Sequence, residues 1–404
     1  MKTTCCHTLV IGSGAAGLQA AVQLRCRGID TLIVTEGVRK STSINTGSDK
    51  QTYYKLGLCG AEPDSIFAMA TALSAAGGMH GDLAVAEAAG SVHAFAHLVA
   101  LGVPFPHDAY GQFPGYKTDH DPARRATSTG PYTSRDMCVA LLREVRRLDV
   151  PIHERCSVTS LLVSGSGARR RVCGALALDA SGAWRAYRAE NVVFAVGGFG
   201  GLYAASVYPA CHLGGIGLAF RAGAAARNLP DSQYGLASIR PRWNVSGSYM
   251  QVVPRLISTG ADGHSDEREF LLDAGADPAQ MYSLLFLKGY QWPFDARRAE
   301  TGSSRIDRLV YDEREVKGRR VFLDFRRNPA GFQFDALSEE ARSYLARSGA
   351  TGRTPFARLQ KLNPGAVAFY GEHGVELAEQ PLEIALCAQH NNGGLAASLW
   401  WESI

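Results

Sequence analysis

The chain has 404 residues, of which 46% are hydrophobic, so it is long enough to bury more than one sizeable core. Its formal net charge is +4, and acidic and basic residues are dispersed along it. The short basic runs at 124–125, 169–171 and 317–320 are typical of solvated turns, and no face interleaves basic with aromatic residues. We therefore expect no nucleic-acid partner.

The nine cysteines are dispersed and form no C-x-x-C pair, which argues against a disulfide framework, a zinc site, a c-type haem site or an iron–sulfur site. The sequence begins with a predicted strand rather than a signal peptide, and no apolar run is expected to span a bilayer. These features predict a cytoplasmic protein without an integral membrane segment. His93 and His97 have a metal-binding i, i+4 spacing, but no Glu stands between them, so we expect packing or surface roles and no metal.

A glycine-rich turn between a strand and a helix is the most informative motif of the chain. Residues 7–17 read as a short apolar strand, a G-x-G-x-x-G turn and the first turn of a helix. Gly12 permits the sharp turn, Gly14 lets a pyrophosphate approach the backbone, and Gly17 lets the helix pack closely on the strand. The N–H groups and positive dipole end of this helix, at Ala15 and Ala16, favour phosphate. The alternative is an Ala/Gly-rich helix start without a ligand.

The residues that follow complete a βαβ unit of the kind that binds an adenine dinucleotide. A predicted helix over 15–27 is followed by a β-branched strand over 31–35 and then by Glu36, nineteen residues past Gly17, where an acid can bind a ribose hydroxyl. Residues 37–51, which we call the polar loop, are rich in Ser, Thr, Asn and Gly. Their position predicts hydrogen bonds along the phosphates and the rest of the dinucleotide, with a plain linker as the alternative. The cofactor-binding candidates in this loop are Gly37, Ser41, Thr42, Ser43, Thr46, Gly47 and Ser48.

The middle of the chain predicts helices and then a small antiparallel sheet. Helices are expected over 62–78, 82–101 and 134–148, the last with Ser134 as its cap. Short strands over 158–164, 171–178 and 184–188, separated by turn sequences, predict a meander. A second apolar strand over 191–196 then ends in glycines, and its cofactor-binding candidates are Ala195, Gly197 and Gly198. This order predicts an α/β fold with a Rossmann-like domain, in which the second strand returns beside the first.

The order of these motifs resembles the flavoprotein subunit family of fumarate reductase and succinate dehydrogenase, which also contains L-aspartate oxidase. Gly12 to Gly17 with Glu36 is similar to its FAD-binding start, and residues 195–198 are similar to its A-T-G-G strand end. Residues 214–224 are similar to its G-D-G helix start and A-x-x-A-G segment. The resemblance covers nearly the whole chain. It implies FAD as the cofactor, a Rossmann-like FAD-binding domain over 1–240 and 381–404, and an inserted α+β capping domain over 241–380.

The resemblance also implies two catalytic residues. The stretch around Arg305, with Glu315 and the strand over 321–325, is similar to a family segment whose arginine gives a proton to the carbon opposite the hydride. Arginine is a poor acid, so a bidentate clamp on a substrate carboxylate and a surface ion pair remain alternatives. His390 resembles a family histidine that binds a substrate carboxylate, although the gap to the following glycines is one residue shorter. A satisfied loop histidine is the alternative there.

Two departures from the family pattern qualify this expectation. The polar loop contains no His, so the resemblance implies FAD that is bound non-covalently. The sequence ends at Ile404, before a further flavin-binding segment of the family, which predicts a truncated flavin domain. We expect an FAD-dependent oxidoreductase that acts on CH–CH groups of a small carboxylic acid, with a separate electron donor or acceptor protein. The alternatives are oxidation of an amino acid, as in L-aspartate oxidase, and an FAD-binding protein without full catalytic activity.

Overall fold

The structure is a computed structural model that describes residues 1–49, 51–60, 62–75, 77–118, 121, 123–208, 212, 215–273 and 277–404. Its strands are β1 (Lys2–Ile11), β2 (Thr31–Val34), β3 (Tyr53–Tyr54), β4 (Ala126–Thr127), β5 (Ile152–His153), β6 (Cys156–Ser164), β7 (Arg171–Asp179), β8 (Trp184–Phe194), β9 (Ala226–Arg227), β10 (Ser232–Ser238), β11 (Trp243–Asn244), β12 (Arg255–Thr259), β13 (Arg320–Asp324), β14 (Leu382–Asn391) and β15 (Gly394–Leu395). Its helices are α1 (Ala15–Cys26), α2 (Thr42–Asn45), α3 (Ile66–Ser74), α4 (Gly81–Ala100), α5 (Thr133–Arg147), α6 (Ile216–Arg221), α7 (Ser248–Gln251), α8 (Phe270–Asp273), α9 (Pro278–Lys288), α10 (Ser304–Tyr311), α11 (Glu339–Arg347), α12 (Pro355–Leu362) and α13 (Pro364–Glu372).

The first sheet has the strand order β5-β2-β1-β8-β7-β6, and its first four strands run parallel. Val10 of β1 pairs with Ile33 on one side and Val193 on the other. Successive side chains of a strand point to opposite faces, so β1 contributes to two cores. Val10 packs with Leu18 and helices α4 and α5 on one face, and Leu9 packs with the antiparallel strands on the other. The predicted α/β class with a Rossmann-like sheet is confirmed.

The antiparallel meander is continuous with the parallel sheet. Strands β6, β7 and β8 pair in antiparallel order, as predicted. The prediction of separate strands at 184–188 and 191–196 is wrong, because 184–194 form the single strand β8. Its first half pairs with both β7 and β1, whereas Asn191 to Phe194 pair with β1. This long strand carries the chain from the meander directly to the sheet edge at which β1 ends.

A second sheet of five strands has the order β11-β10-β14-β13-β12, and its pairs are antiparallel. The largest hydrophobic core joins this sheet to helices α7 to α13 and includes Leu236, Tyr249, Leu285, Leu323 and Ile384. Strand β14 pairs with both β10 and β13. The sheet therefore combines strands from both sides of the predicted limits at 240 and 380, and those domain limits remain predictions.

Helix α5 begins one residue earlier than predicted, and Ser134 is not its cap. Thr133 is the first helical residue, and Tyr132 precedes it without a side-chain cap. The Ser134 hydroxyl instead lies within hydrogen-bond distance of two acceptors, the carbonyl oxygen of Ser43 at 2.6 Å and Oε1 of Gln51 at 2.9 Å. The start of α5 is therefore attached to the polar loop, which a local capping rule could not foresee.

The other predicted helices are present with shifted ends. Helix α1 matches its predicted range within one residue, and α3 is shorter than the predicted 62–78. Helix α4 has the predicted length but begins and ends one residue before the predicted 82–101. Helix α6 follows the glycine cluster, as predicted. The polar loop contains the short helix α2, which was not predicted. Lys50, Ala76 and Gly214, which belong to these predicted segments, lie outside the described residues.

Helix α4 is long and apolar enough to cross a membrane by length and composition, so the expectation that no apolar run could do so is wrong. A single helix of this kind is a weak indication, because core helices of soluble proteins pass the same test. Here Ala84, Ala88 and Phe95 are buried, and Phe95 packs in the core with Leu18 of α1 and Leu141 of α5. The helix thus uses one apolar face to cover the first sheet.

Candidate functional site

The turn after β1 holds its glycines against neighbouring backbone. Gly12 has a φ of +107°, and a Cβ there would overlap the carbonyl oxygen of Ala195. A Cβ at Gly17 would overlap the carbonyl oxygen of Gly12 and lie 3.1 Å from its carbonyl carbon. Only glycine at both positions lets β1, α1 and β8 approach this closely. Gly14, which precedes α1, supplies no side-chain cap, and the first turn has no acidic residue, so this helix N-terminus suits an anion.

The first half of the polar loop lies beside that helix N-terminus. Ser43 Oγ accepts a hydrogen bond of 3.2 Å from the N–H of Ala15, and Ala16 lies in the same first turn. A Cβ at Gly14 would lie 3.3 Å from Ser43 Oγ and 3.7 Å from Cβ of Ser41. Ser41 Oγ is buried and has no hydrogen-bond partner among the described residues. A buried hydroxyl without a partner, beside a helix N-terminus, fits the binding of a phosphate group.

Glu36 lies at the carboxyl end of β2, next to the glycine turn. Its exposed carboxylate accepts a hydrogen bond of 2.7 Å from Ser157 Oγ. The preceding Thr35 hydroxyl lies 2.8 Å from Ser13 Oγ and accepts from the N–H of Gly37 at 3.2 Å. The predicted ribose-binding residue and Gly37 are thus tied to the turn that is predicted to hold the phosphates.

The second half of the polar loop contains the candidates Thr46, Gly47 and Ser48, and it packs against protein. Thr46 Oγ1 donates back to the loop at 2.8 Å, and a Cβ at Gly47 would overlap the ring of Trp243. Buried Asp49 accepts a hydrogen bond of 2.7 Å from the first N–H of α7. These contacts attach the loop to the second sheet and its helices, and a cofactor role for the three candidates stays a prediction.

The end of β8 meets two side chains that sequence reasoning missed. A Cβ at Gly197, which has a φ of +73°, would lie 2.8 Å from Cε1 of His212. A Cβ at Gly198 would lie 2.7 Å from Oδ1 of Asn391, and the same oxygen accepts from the N–H of Phe199 at 3.0 Å. The glycines therefore bring the end of β8 onto the end of β14. A lone His and a lone Asn carry no spacing pattern that could have identified them.

Strand β14 places His390 directly before Asn391. The His390 side chain is solvent-exposed, yet the surrounding protein desolvates the imidazole enough to lower its pKa below the ordinary value. The ring of Trp292 lies 6.4 Å away at a steep angle, and Gln233 of β10 is the strand partner of His390. A neutral imidazole at pH 7 can bind a carboxylate oxygen through a hydrogen bond rather than through charge.

Arg305 is half-buried in the first turn of α10. The segment before this helix is attached to β10, because the N–H of Phe294 donates to the carbonyl oxygen of Tyr234 at 2.7 Å. One residue later, the N–H of Asp295 donates to Ser304 Oγ at the start of α10, at 2.9 Å. Because β10 is also the partner of β14, one strand links the element that carries Arg305 to the element that carries His390.

A buried ion pair supports the helix of Arg305. Asp307 of α10 lies 2.7 Å from Lys288 Nζ of α9, and the two side chains are 0% and 1% exposed. Burial raises the pKa of Asp307 to about 6, although the ammonium group acts in the opposite direction. No sequence pattern connects these residues, because their pairing depends on how α9 and α10 pack. The pair fixes the two helices against each other.

The arrangement fits a dinucleotide. A glycine turn, a helix N-terminus and an acid at the end of β2 stand in the order that a pyrophosphate and a ribose require. Two buried polar atoms, Ser41 Oγ and His212 Nε2, have no hydrogen-bond partner among the described residues and lie beside these segments. Fold and site together define a Rossmann-like dinucleotide-binding protein.

Comparison with known proteins agrees with this class. A family model described as "FAD binding domain" matches residues 7–364, and the chain belongs to that family. It is 28% identical over 325 residues to an L-aspartate oxidase of Agrobacterium fabrum, covering 79% of this chain and 55% of that protein. It is 24% identical over 406 residues to a fumarate reductase (CoM/CoB) subunit of Methanothermobacter marburgensis, covering 98% and 64%.

The fold is also similar to that of the Mycobacterium smegmatis Sdh1 complex in the apo form. The TM-score is 0.69 at 18% identity, covering 99% of this chain and 61% of that one. Membership of the family of fumarate reductase and L-aspartate oxidase flavoproteins is confirmed, and so is FAD as the cofactor. The chain spans 55% and 64% of the length of the two curated relatives.

Proposed function

We propose that the chain is the FAD-binding part of an oxidoreductase that transfers hydride between flavin N5 and a carbon of a small carboxylic acid. The acid would be reduced or oxidised at a CH–CH bond, as in fumarate reductase. Bound FAD supplies the two-electron chemistry, and the protein supplies binding, orientation and charge. The glycine turn, Ser41 and Ser43 would hold the pyrophosphate, and Glu36 would hold the ribose.

The observation that carries the proposal is the contact between the ends of β8 and β14. Asn391 accepts a hydrogen bond from Phe199 and touches Gly198, so His390 stands next to the strand end that is predicted to approach the flavin. Strand β10 connects this point to the start of α10, where Arg305 lies. In this proposal, the carboxylate-binding imidazole and the cation come from elements that β10 connects at one end of the FAD site.

Each of the two residues has a distinct role in this proposal. His390, neutral at pH 7 because its pKa is lowered by desolvation, would hydrogen-bond one carboxylate of the substrate. Arg305 would deliver the proton on the side opposite the hydride, although a guanidinium is a weak acid and must be reprotonated between turnovers. A bidentate clamp on a carboxylate is the simpler role for the same cation.

The test measures reoxidation of reduced flavin by fumarate in protein loaded with FAD. In Arg305→Lys, we expect the rate to fall at least about a hundredfold, the usual scale for loss of a general acid, with FAD affinity unchanged. Arg308→Lys is the matched control, because Arg308 lies one turn later on α10 and pairs with exposed Glu300. If Arg305→Lys keeps the wild-type rate on the true substrate, the proton-donor role is wrong.

Amino acid oxidation is the second candidate, because an L-aspartate oxidase is among the relatives. Hydride removal from the carbon that carries the amino group can use the same face of a flavin, so the site alone favours neither reaction. Bleaching of the bound flavin by L-aspartate under anaerobic conditions would favour this candidate over fumarate reduction. FAD that binds but reacts with neither compound would favour a binding protein without full activity.

We further propose non-covalent FAD and a separate electron partner. The polar loop contains no His for covalent attachment, and the sequence has no haem or cluster motif. The comparison structure from M. smegmatis is described as a complex, which is consistent with a partner protein. Release of all flavin on denaturation, followed by filtration, tests the first point.

A further inference from the structure

His212 stands between the two segments that are predicted to bind FAD, and no motif singled it out. Its Nδ1 is hydrogen-bonded to the hydroxyl of Thr42 in the polar loop. Its ring lies against Gly197 at the end of β8, where a Cβ would come within 2.8 Å of Cε1. Tyr208 covers the ring at a centroid distance of 4.6 Å. The imidazole thus joins the polar loop to the second glycine strand.

The other nitrogen of this ring is a buried polar atom that needs a partner. The side chain is 8% exposed, and Nε2 has no hydrogen bond of good geometry among the described residues. Burial lowers the pKa of His212, whereas its polar contact with the backbone of Gly198 acts in the opposite direction. The ring is therefore neutral at pH 7. Its Nδ1 is hydrogen-bonded to Thr42, and its Nε2 can bind a further group. Buried polar groups of folded proteins normally have a partner, and an orphan at a cofactor site points to the cofactor.

The neighbours of His212 locate it along the path of the dinucleotide. Thr42 is adjacent to Ser43, whose Oγ is bonded to the N–H of Ala15 at the start of α1, where the pyrophosphate is expected. On the other side, Gly197 is adjacent to Gly198, which touches Asn391 beside the candidate substrate residue. His212 therefore lies between the phosphate end and the reactive end, which is the stretch that the flavin half of FAD must occupy.

We propose that His212 is a cofactor-binding residue whose Nε2 hydrogen-bonds a polar group in the flavin half of FAD. The inference rests on FAD binding and on no particular substrate or turnover. It assigns the imidazole a second task besides joining Thr42 to Gly197, and it accounts for a polar atom that is otherwise buried without a bond.

The experiment titrates FAD, and separately ADP, into the flavin-free protein. His212→Asn keeps an amide near the Nδ1 position but removes Nε2, so we expect the Kd for FAD to rise about tenfold and the Kd for ADP to stay within about twofold. His212→Gln places an amide near the Nε2 position, and we expect it to bind FAD within about threefold of wild type. A different absorption spectrum of the bound flavin in His212→Asn would support the same contact.

His97→Asn is the matched control, because His97 Nε2 is also buried without a partner among the described residues but lies on α4. We expect it to leave both affinities unchanged. Unchanged FAD affinity in His212→Asn, or an equal loss for FAD and ADP, would overturn the inference. A thermal melt of each flavin-free variant shows whether it is folded. If His212→Asn does not fold, the same titrations with His212→Ala and His212→Gln test the inference. Wild-type protein that takes up no FAD would overturn both this inference and the proposed function, whereas FAD binding without turnover would overturn only the latter.

Discussion

Replacing Gly17 with alanine tests whether the close contact between α1 and the glycine turn maintains the cofactor site. A Cβ at this position would overlap the carbonyl oxygen of Gly12 and lie 3.1 Å from its carbonyl carbon and 3.3 Å from Cβ of Ala195. Non-bonded carbon atoms prefer separations of about 3.5–4.0 Å, and the closest opposing atoms belong to backbone, so α1 must move outward. Overpacking of this severity lowers the free energy of unfolding by about 3 kcal/mol. The higher helix propensity of alanine restores about 1 kcal/mol, so we expect a net loss of about 2 kcal/mol.

The same movement displaces the N–H groups at the start of α1, which are proposed to bind the pyrophosphate. Hydrogen bonds to a charged acceptor contribute about 1.5–3 kcal/mol each, so loss of one should raise the Kd for FAD at least about tenfold. Guanidinium unfolding of the flavin-free protein measures the first effect, and fluorescence titration with FAD measures the second. Gly90→Ala is the control, because Gly90 lies in α4 where an added Cβ would meet no neighbouring element within 4 Å. We expect the free energy of unfolding of this variant to rise by up to about 1 kcal/mol and its FAD affinity to stay unchanged. Wild-type stability and affinity in Gly17→Ala would refute the reasoning.

Two further predictions concern buried charges. Arg125 is buried between Asp64 at 2.6 Å and Asp121 at 2.8 Å. Chemical denaturation of Arg125→Leu should therefore show a free energy of unfolding lower by about 3–5 kcal/mol, because the substitution leaves two buried carboxylates without their cation. A loss below about 1 kcal/mol would contradict a structural role. The folded-state pKa of Asp307, about 6, lies above its ordinary value of 3.8, so its protonation stabilises the fold fully below pH 3.8, and this contribution is lost as pH rises through 6. Urea unfolding between pH 4 and 6 should show wild type losing on the order of 2 kcal/mol relative to Asp307→Asn, and parallel pH profiles would exclude the raised pKa.

The parts of the fold that depend on neighbouring residues could be predicted from the sequence. The strand, glycine turn, helix and acid of the first βαβ unit are each specified by a few adjacent positions, and they appear where predicted. The continuity of β8 could not be predicted, because exposed Glu190 and Asn191 interrupt the apolar pattern. In the structure these polar residues lie on a strand whose backbone is paired with β1. An exposed polar pair is compatible with a strand as well as with a turn.

In the candidate site too, features set by adjacent residues could be predicted and features set by distant residues could not. Ser134 has the composition of a helix cap, but its hydroxyl is bonded to Ser43 and Gln51, which are distant in sequence. The positions of His212 and of the Lys288–Asp307 pair depend on the packing of segments with no common spacing. Tertiary contacts decide such positions, so a pattern of residue types cannot reveal them.

The two ends of the site differ in how they are built, and this difference separates binding from catalysis. The proposed phosphate end lies within the first part of the chain, at the glycine turn, the start of α1 and the first half of the polar loop. The proposed reactive end requires β8, β10, β14 and α10 to meet, and a buried ion pair holds α10 against α9. Changes that loosen the second sheet should therefore reduce turnover before they reduce FAD affinity. Changes at Gly12, Gly14 or Gly17 should reduce both, because no arrangement of the reactive end can act on a cofactor that is not held.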